Sequence, residues 1–147
     1  MFNFRMQTVL DVRKTLEGKI ISEFSEHQKE LQHETEGLQI IQQQKAEQID
    51  SLRGIKDKKV SVSEIVIRSA RIKKCQGEEA IQKETVQNLR KKVDKKRDEL
   101  LEATKKKKAM EICKTKHFEK YQTEERILER TAIDELVIAG HNRRKQE

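Results

Sequence analysis

The sequence predicts an all-α fold, a long antiparallel two-helix coiled-coil hairpin with a C-terminal helical overhang. Three observations carry this. Apolar residues recur at steps of three and four over residues 9–56 and again over residues 65–136. That spacing keeps one stripe of a helix turned toward a partner helix. A single short break, Asp57-Lys58-Lys59-Val60-Ser61-Val62-Ser63, separates the two runs. Proline, which would interrupt a helix, is absent from all 147 residues. Only 33% of the residues are hydrophobic and 40% are charged, a balance also found in disordered chains. The regular apolar spacing decides for coiled coil.

The whole chain, residues 1–147, reads as one coiled-coil domain. The first helix is placed at about residues 3–56. Its stripe runs through Val9, Val12, Leu16, Ile20 and Phe24, then His27, Leu31, Leu38, Ile41, Ile49 and Leu52. Glu34 and Lys45 fall on the same stripe and weaken it. The break follows at about residues 57–63. Gly54 weakens the end of the first helix. Lys56, Lys58 and Lys59 suit the negative end of its dipole. Ser61 or Ser63 can cap the next helix, and Ser61-x-x-Glu64 also fits a capping box. The second helix is placed at about residues 64–140. Its stripe passes through Ile65, Ser69, Ile72, Cys75, Glu79, Gln82, Val86, Leu89, Val93 and Lys96. It continues through Leu100, Met110, Cys113, His117 and Tyr121 to Leu128 and Ala132. A basic tail at 141–147 closes the chain.

Folding back at the break sets residue i beside about residue 119 − i. Leu16 then meets Ala103, Leu31 meets Leu89, Val9 lies beside Met110, and Phe2 reaches Phe118. The second helix continues about 25 residues further, roughly 35–40 Å at helical rise. Ile127, Leu128, Ile133, Leu136, Val137 and Ile138 have no partner within this pairing. Apolar residues on an unpaired helix point to another protein.

The net charge of +7 is unevenly placed. Residues 1–60 hold ten basic and ten acidic side chains, and residues 109–147 hold eight of each. Residues 61–108 hold fifteen against eight. The densest stretch, residues 90–108, could touch phosphates, so a basic coiled-coil protein binding nucleic acid is one reading. Interleaved Asp94, Asp98, Glu99 and Glu102, and the lack of aromatics for base stacking, weigh against it. The preferred meaning is a solvated face or a surface for an acidic protein.

Catalytic and cofactor motifs are missing. The five glycines are isolated and make no phosphate loop. The four histidines form no i, i+4 pair and no cluster with cysteine at metal spacing. A hairpin of this kind offers no concave site, so the reading is non-enzymatic, with no catalytic residue, cofactor, metal or small-molecule substrate. Cys75 and Cys113 would lie about 57 Å apart on one straight helix and cannot pair there. They read as reduced thiols on the seam. Neither a secretory leader nor a membrane-spanning window is visible, so the expectation is a cytoplasmic protein whose membrane contact is indirect.

The two ends carry a resemblance. Phe2-x-Phe4-Arg5-Met6-x-x-Val9-Leu10-x-x-Arg13 resembles the opening of the FliJ family, the small coiled-coil proteins of the bacterial flagellar type III export apparatus. Glu129-Arg130-Thr131-Ala132-Ile133-Asp134-Glu135-Leu136 resembles that family's acidic stretch near the C-terminus. The motifs cover about 20 residues, and the two-run layout covers the whole chain. The resemblance implies an antiparallel hairpin similar to the coiled coil of a rotary ATPase γ subunit. It implies a central stalk and assembly factor for the hexameric export ATPase, and an adaptor to the cytoplasmic domain of the export gate and to export chaperones. Carried over by position, the ATPase-facing residues are Phe2, Phe4, Met6, Val9, Arg13, Tyr121, Leu128, Ala132, Asp134, Glu135 and Leu136. The gate-facing residues are Ile49, Leu52, Ile55 and Ile65. The implied location is the cytoplasmic side of the inner membrane at the flagellar base. A matching stalk of a virulence injectisome is the neighbouring alternative, and a homodimeric structural rod is a further one.

Overall fold

The computed structural model describes residues 1–54 and 60–144, with side chains through His141. Two helices pack against each other as an all-α hairpin: α1 at Gln7–Arg53 and α2 at Val62–Arg144. No strand occurs among the described residues. Contacts divide the chain into two compact units. The turn unit is Gly18–Leu101, and the terminal unit is Met1–Glu17 with Glu102–Glu147.

In the turn unit the cross-helix partners run in antiparallel order. Ser51 meets Arg68, Lys45 meets Glu79, Gln82 meets Glu34, and Lys96 meets Glu23. These partners follow the 119 − i pairing to within a few residues. Val86, Leu89 and Val93, at 4%, 5% and 5% exposure, are spaced by three and four and form the buried apolar core. Each such side chain contributes about 1.5–3 kcal/mol on full burial. Phe24, His27 and Leu31 of α1 are half-buried on the same seam. Both cysteines are free and half-buried.

Ser61 starts α2 as its cap. Its hydroxyl accepts the Glu64 backbone N–H at 3.3 Å, and its carbonyl accepts those of Glu64 and Ile65. The Glu64 carboxylate completes no reciprocal box. It pairs with Arg68 at 2.6 Å instead. Arg68 thereby takes the inward place that the spacing gave to Ser69, since it also donates to the Ser51 carbonyl and hydroxyl. Ile65 is left 42% exposed. The remaining expectations for the break, at Lys56, Asp57, Lys58 and Lys59, lie outside the described residues.

The terminal unit corrects the phase of the first stripe. Leu10 is 1% exposed, whereas Val9, Val12 and Leu16 are 44%, 53% and 52% exposed. Arg13 and Glu17 are the half-buried neighbours of Leu10 along the seam. The physical reason is angular. Reading back from Phe24 through Ile20, Leu16 and Val12 takes three steps of four in succession, which carries the stripe around the helix. Alternating threes and fours hold it on one side and select Glu17, Arg13 and Leu10. Polar contacts sustain that choice. Lys107 lies 2.6 Å from the Glu17 carboxylate, which also accepts the Thr104 hydroxyl at 2.9 Å. Leu16 therefore does not meet Ala103 as a core pair.

Gln7 is the first helical residue of α1, where the apolar pattern placed the start near residue 3. The Gln7 N–H reaches back to the Phe4 carbonyl at 2.9 Å, closing a turn that precedes the helix. At its other end α2 continues through Gly140 to Arg144. No described residue takes a positive φ, so Gly140 does not form the left-handed cap that would end a helix. Residues 145–147 of the expected basic tail lie outside the described part.

Candidate protein-interaction site

The terminal unit brings the aromatic opening of the chain against α2. Phe4 is 5% exposed and meets the His117 ring edge-to-face, with centroids 5.8 Å apart. Phe2 packs edge-to-face on Phe118 at 5.2 Å and against Tyr121 at 5.6 Å. Such aromatic pairs add about 0.5–1.5 kcal/mol each beyond their buried area. The Tyr121 hydroxyl accepts the Met1 amino group at 3.0 Å and donates to the Glu125 carboxylate. That hydrogen bond, with burial and the carboxylate charge adding to it, raises the Tyr121 phenol above its ordinary 10. Lys114 donates to Gln7 at 2.8 Å. The first four residues are thereby stapled to α2 by rings and charges.

This arrangement locates the residues named from the sequence. Phe2 and Tyr121 meet ring to ring, whereas Phe4 packs on His117, one turn before Tyr121 on α2. Arg13 is half-buried on the seam, and its Nε is buried with no hydrogen-bond partner. Met6 and Val9, 50% and 44% exposed, lie outside the seam. Leu128, Ala132, Asp134, Glu135 and Leu136 lie beyond the staple, where every residue from 122 to 141 is exposed.

The composition of this overhang matters more than its length. At 3.6 residues per turn, Leu128, Ala132 and Leu136 continue the side that carries Tyr121. Ile127, Ile133, Val137 and Ile138 spread over the other sides. Leu136, Val137 and Ile138 are 74%, 65% and 59% exposed. A helix that is apolar on several sides is suited to enclosure, whereas a single stripe suits one groove.

Of the gate-facing candidates, Ile49 and Leu52 are half-buried in the turn unit. Ile65 is 42% exposed, and Ile55 lies outside the described residues. Sequence reasoning missed Val62, Val66 and Ile67, which are 77%, 61% and 53% exposed on the first turns of α2. The signal was present in the run Ile65-Val66-Ile67. Three consecutive apolar residues cannot all face one partner helix.

The basic stretch is paired in part within the chain, at Lys96, Arg97, Lys105 and Lys107. In the turn unit Lys96 lies 2.8 Å from Glu23 and 2.7 Å from Glu99. Its hydrogen bond to Glu23, then that to Glu99, holds the ammonium pKa up, and the same contact holds the Glu23 carboxyl down. In the terminal unit Lys105 pairs with Glu102 at 3.2 Å. Lys107 pairs with Glu17, lowering the carboxyl and raising the ammonium. The pairs and the interleaved carboxylates break the stretch as a phosphate track, while its net charge stays positive.

A hairpin of two packed helices, one of which carries bare apolar residues past the end of its partner, defines a helical interaction protein. The family model described as Flagellar FliJ protein matches residues 1–146, and the chain belongs to that family. It is therefore a structural or assembly component of the flagellar export apparatus. Comparison with curated proteins and with solved structures returned no match. No helix among the described residues is long and apolar enough to cross a membrane.

Proposed function

We propose that this protein is the central stalk and assembly factor of the flagellar export ATPase. In this reading the overhang of α2 seats in the hole of the hexameric ring, beside the stapled N-terminal residues. The observation that carries it is the exposure of apolar side chains on several sides of residues 127–138. A ring surrounds a helix, so it covers all those sides at once, whereas one partner helix covers one. The same protein serves as adaptor to the cytoplasmic domain of the export gate and to export chaperones, on the cytoplasmic side of the inner membrane. The family match favours the flagellar system over an injectisome.

The test compares the full chain with a variant truncated after Lys120, using ring assembly and ATP hydrolysis by the cognate export ATPase. The full chain promotes both. The truncated chain promotes neither, while circular dichroism shows that its hairpin remains helical. Undiminished stimulation by the truncated chain refutes the placement of the overhang.

A further inference from the structure

The turn unit is packed unevenly along its length. Its buried side chains, Glu79, Val86, Leu89 and Val93, all lie between residues 79 and 93 of α2. From Glu79 toward the turn no described residue is buried. Ile49, Leu52, Ile72 and Cys75 are half-buried there, and Ile65 is more exposed still. The hydrogen bonds follow the same division. Among the described residues, the helices are joined on the turn side of Glu79 by Arg68 with Ser51.

The boundary itself is a cluster of charged and amide groups. Glu79 is 6% exposed, and its carboxylate is held from both helices. Lys45 of α1 and Lys83 of α2 pair with it, the latter at 2.8 Å, and the Gln42 amide donates at 3.3 Å. One turn further, the Gln82 amide donates to the Glu34 backbone carbonyl at 2.9 Å. A buried carboxylate is stable only while its partners stay in place. Such a group ties one residue of α1 to one residue of α2 and so fixes register, as a single polar seam residue does in coiled coils.

We propose that the Glu79 cluster is a latch. It fixes the register of the two helices and marks the limit of opening for the arm on its turn side, residues 46–53 and 62–78. The arm parts and exposes Ile49, Leu52 and Ile72, while the seam from Glu79 to Val93 stays closed. Gly77, one residue before Glu78 and with open space around it, weakens α2 beside the latch. This device stands independently of the export reading, because it rests only on packing within the turn unit.

Amide hydrogen exchange of the full chain, followed by mass spectrometry, tests it. Residues 46–53 and 65–78 exchange about tenfold or more faster than residues 34–45 and 79–93. Glu79→Ala and Lys45→Met shift the fast zone past the latch, into residues 38–45 and 79–84, while Val86, Leu89 and Val93 keep their protection. Gly77→Ala slows exchange in the arm and leaves the boundary in place. The double variant Lys45→Leu with Glu79→Leu restores the wild-type boundary, because an apolar pair replaces the ionic one. Equal protection throughout the turn unit, or a boundary unmoved in Glu79→Ala, overturns the latch. So does a uniform loss of protection that includes Val86 to Val93, which would mark Glu79 as an ordinary stabilising residue.

Discussion

Replacing Leu10 with alanine should cost the terminal unit about 2–3 kcal/mol, whereas replacing its neighbour Val9 should cost under about 0.5 kcal/mol. The magnitudes come from burial. Leu10 is 1% exposed, so nearly all of its side chain leaves water on folding, worth about 1.5–3 kcal/mol, with a cavity cost added by truncation. A seam between two helices can collapse around the gap more freely than a globular core, which keeps the value at the lower end of the leucine-to-alanine range. Val9 is 44% exposed, and alanine is the better helix former, so its loss is nearly offset. The assay is urea unfolding followed by helical circular dichroism, with exchange of residues 7–17 and 104–114 reporting the terminal unit alone. A Val9→Ala variant as unstable as Leu10→Ala would refute the inward phase Leu10, Arg13 and Glu17, and would restore the stripe through Val9, Val12 and Leu16.

Other consequences are equally direct. Glu79 is held down to about 2, first by the hydrogen bond from Lys45, then by that from Lys83. Its stabilising effect is therefore complete above its ordinary 4.5 and lost as pH falls through about 2, so the urea midpoint should drop across that window in the wild type and vary less in Glu79→Gln. Glu17 behaves with the same sign through its hydrogen bonds from Lys107 and Thr104. Glu17→Gln should flatten acid sensitivity in exchange measured over the terminal unit. The chain has a single tyrosine, so tyrosinate absorbance reads Tyr121 without interference. Its midpoint should lie above 10 in the folded protein and fall in Glu125→Gln. The contribution of this group is present below 10 and lost as pH rises through the folded value. Phe4→Ala should detach the N-terminal residues, seen as faster exchange at residues 7–13, while the Tyr121 shift, held first by Glu125, persists.

The hairpin was legible because it depends on gross periodicity. Two runs, one break and no proline leave few alternatives, and pairing by 119 − i placed Phe2 against Phe118, whose rings lie 5.2 Å apart. A serine cap at the start of α2 was readable for the same local reason, and the structure selects Ser61 over Ser63. Phase near the N-terminus was not, because hydrophobicity there favours Val9, Val12 and Leu16 while the seam is held by Glu17 with Lys107 and Thr104. Pattern reading counts apolar residues and misses a cross-helix ion pair that recruits a charged position inward. Arg68 displaced Ser69 through a related effect, its hydrogen bonds across to Ser51. Glu79 looked like a gap in the stripe, yet it is the most enclosed charged side chain among the described residues: Lys83 lies one turn along the same helix, but Lys45 comes from α1, which no local window joins to it. The overhang needed only arithmetic, whereas its apolar character on several sides needed the helix to be regular through Gly140.

In the proposed stalk, residues 127–138 are enclosed by the export ATPase ring. Site-specific photo-crosslinking probes that enclosure. A photo-reactive side chain at Leu136, and separately at Val137 on another side of the helix, should each yield an adduct with the cognate export ATPase in the presence of nucleotide, while the same group at Ile67 in the turn unit yields none. Adducts from Leu136 alone would indicate a one-sided groove, and no ATPase adduct from either position would contradict the stalk.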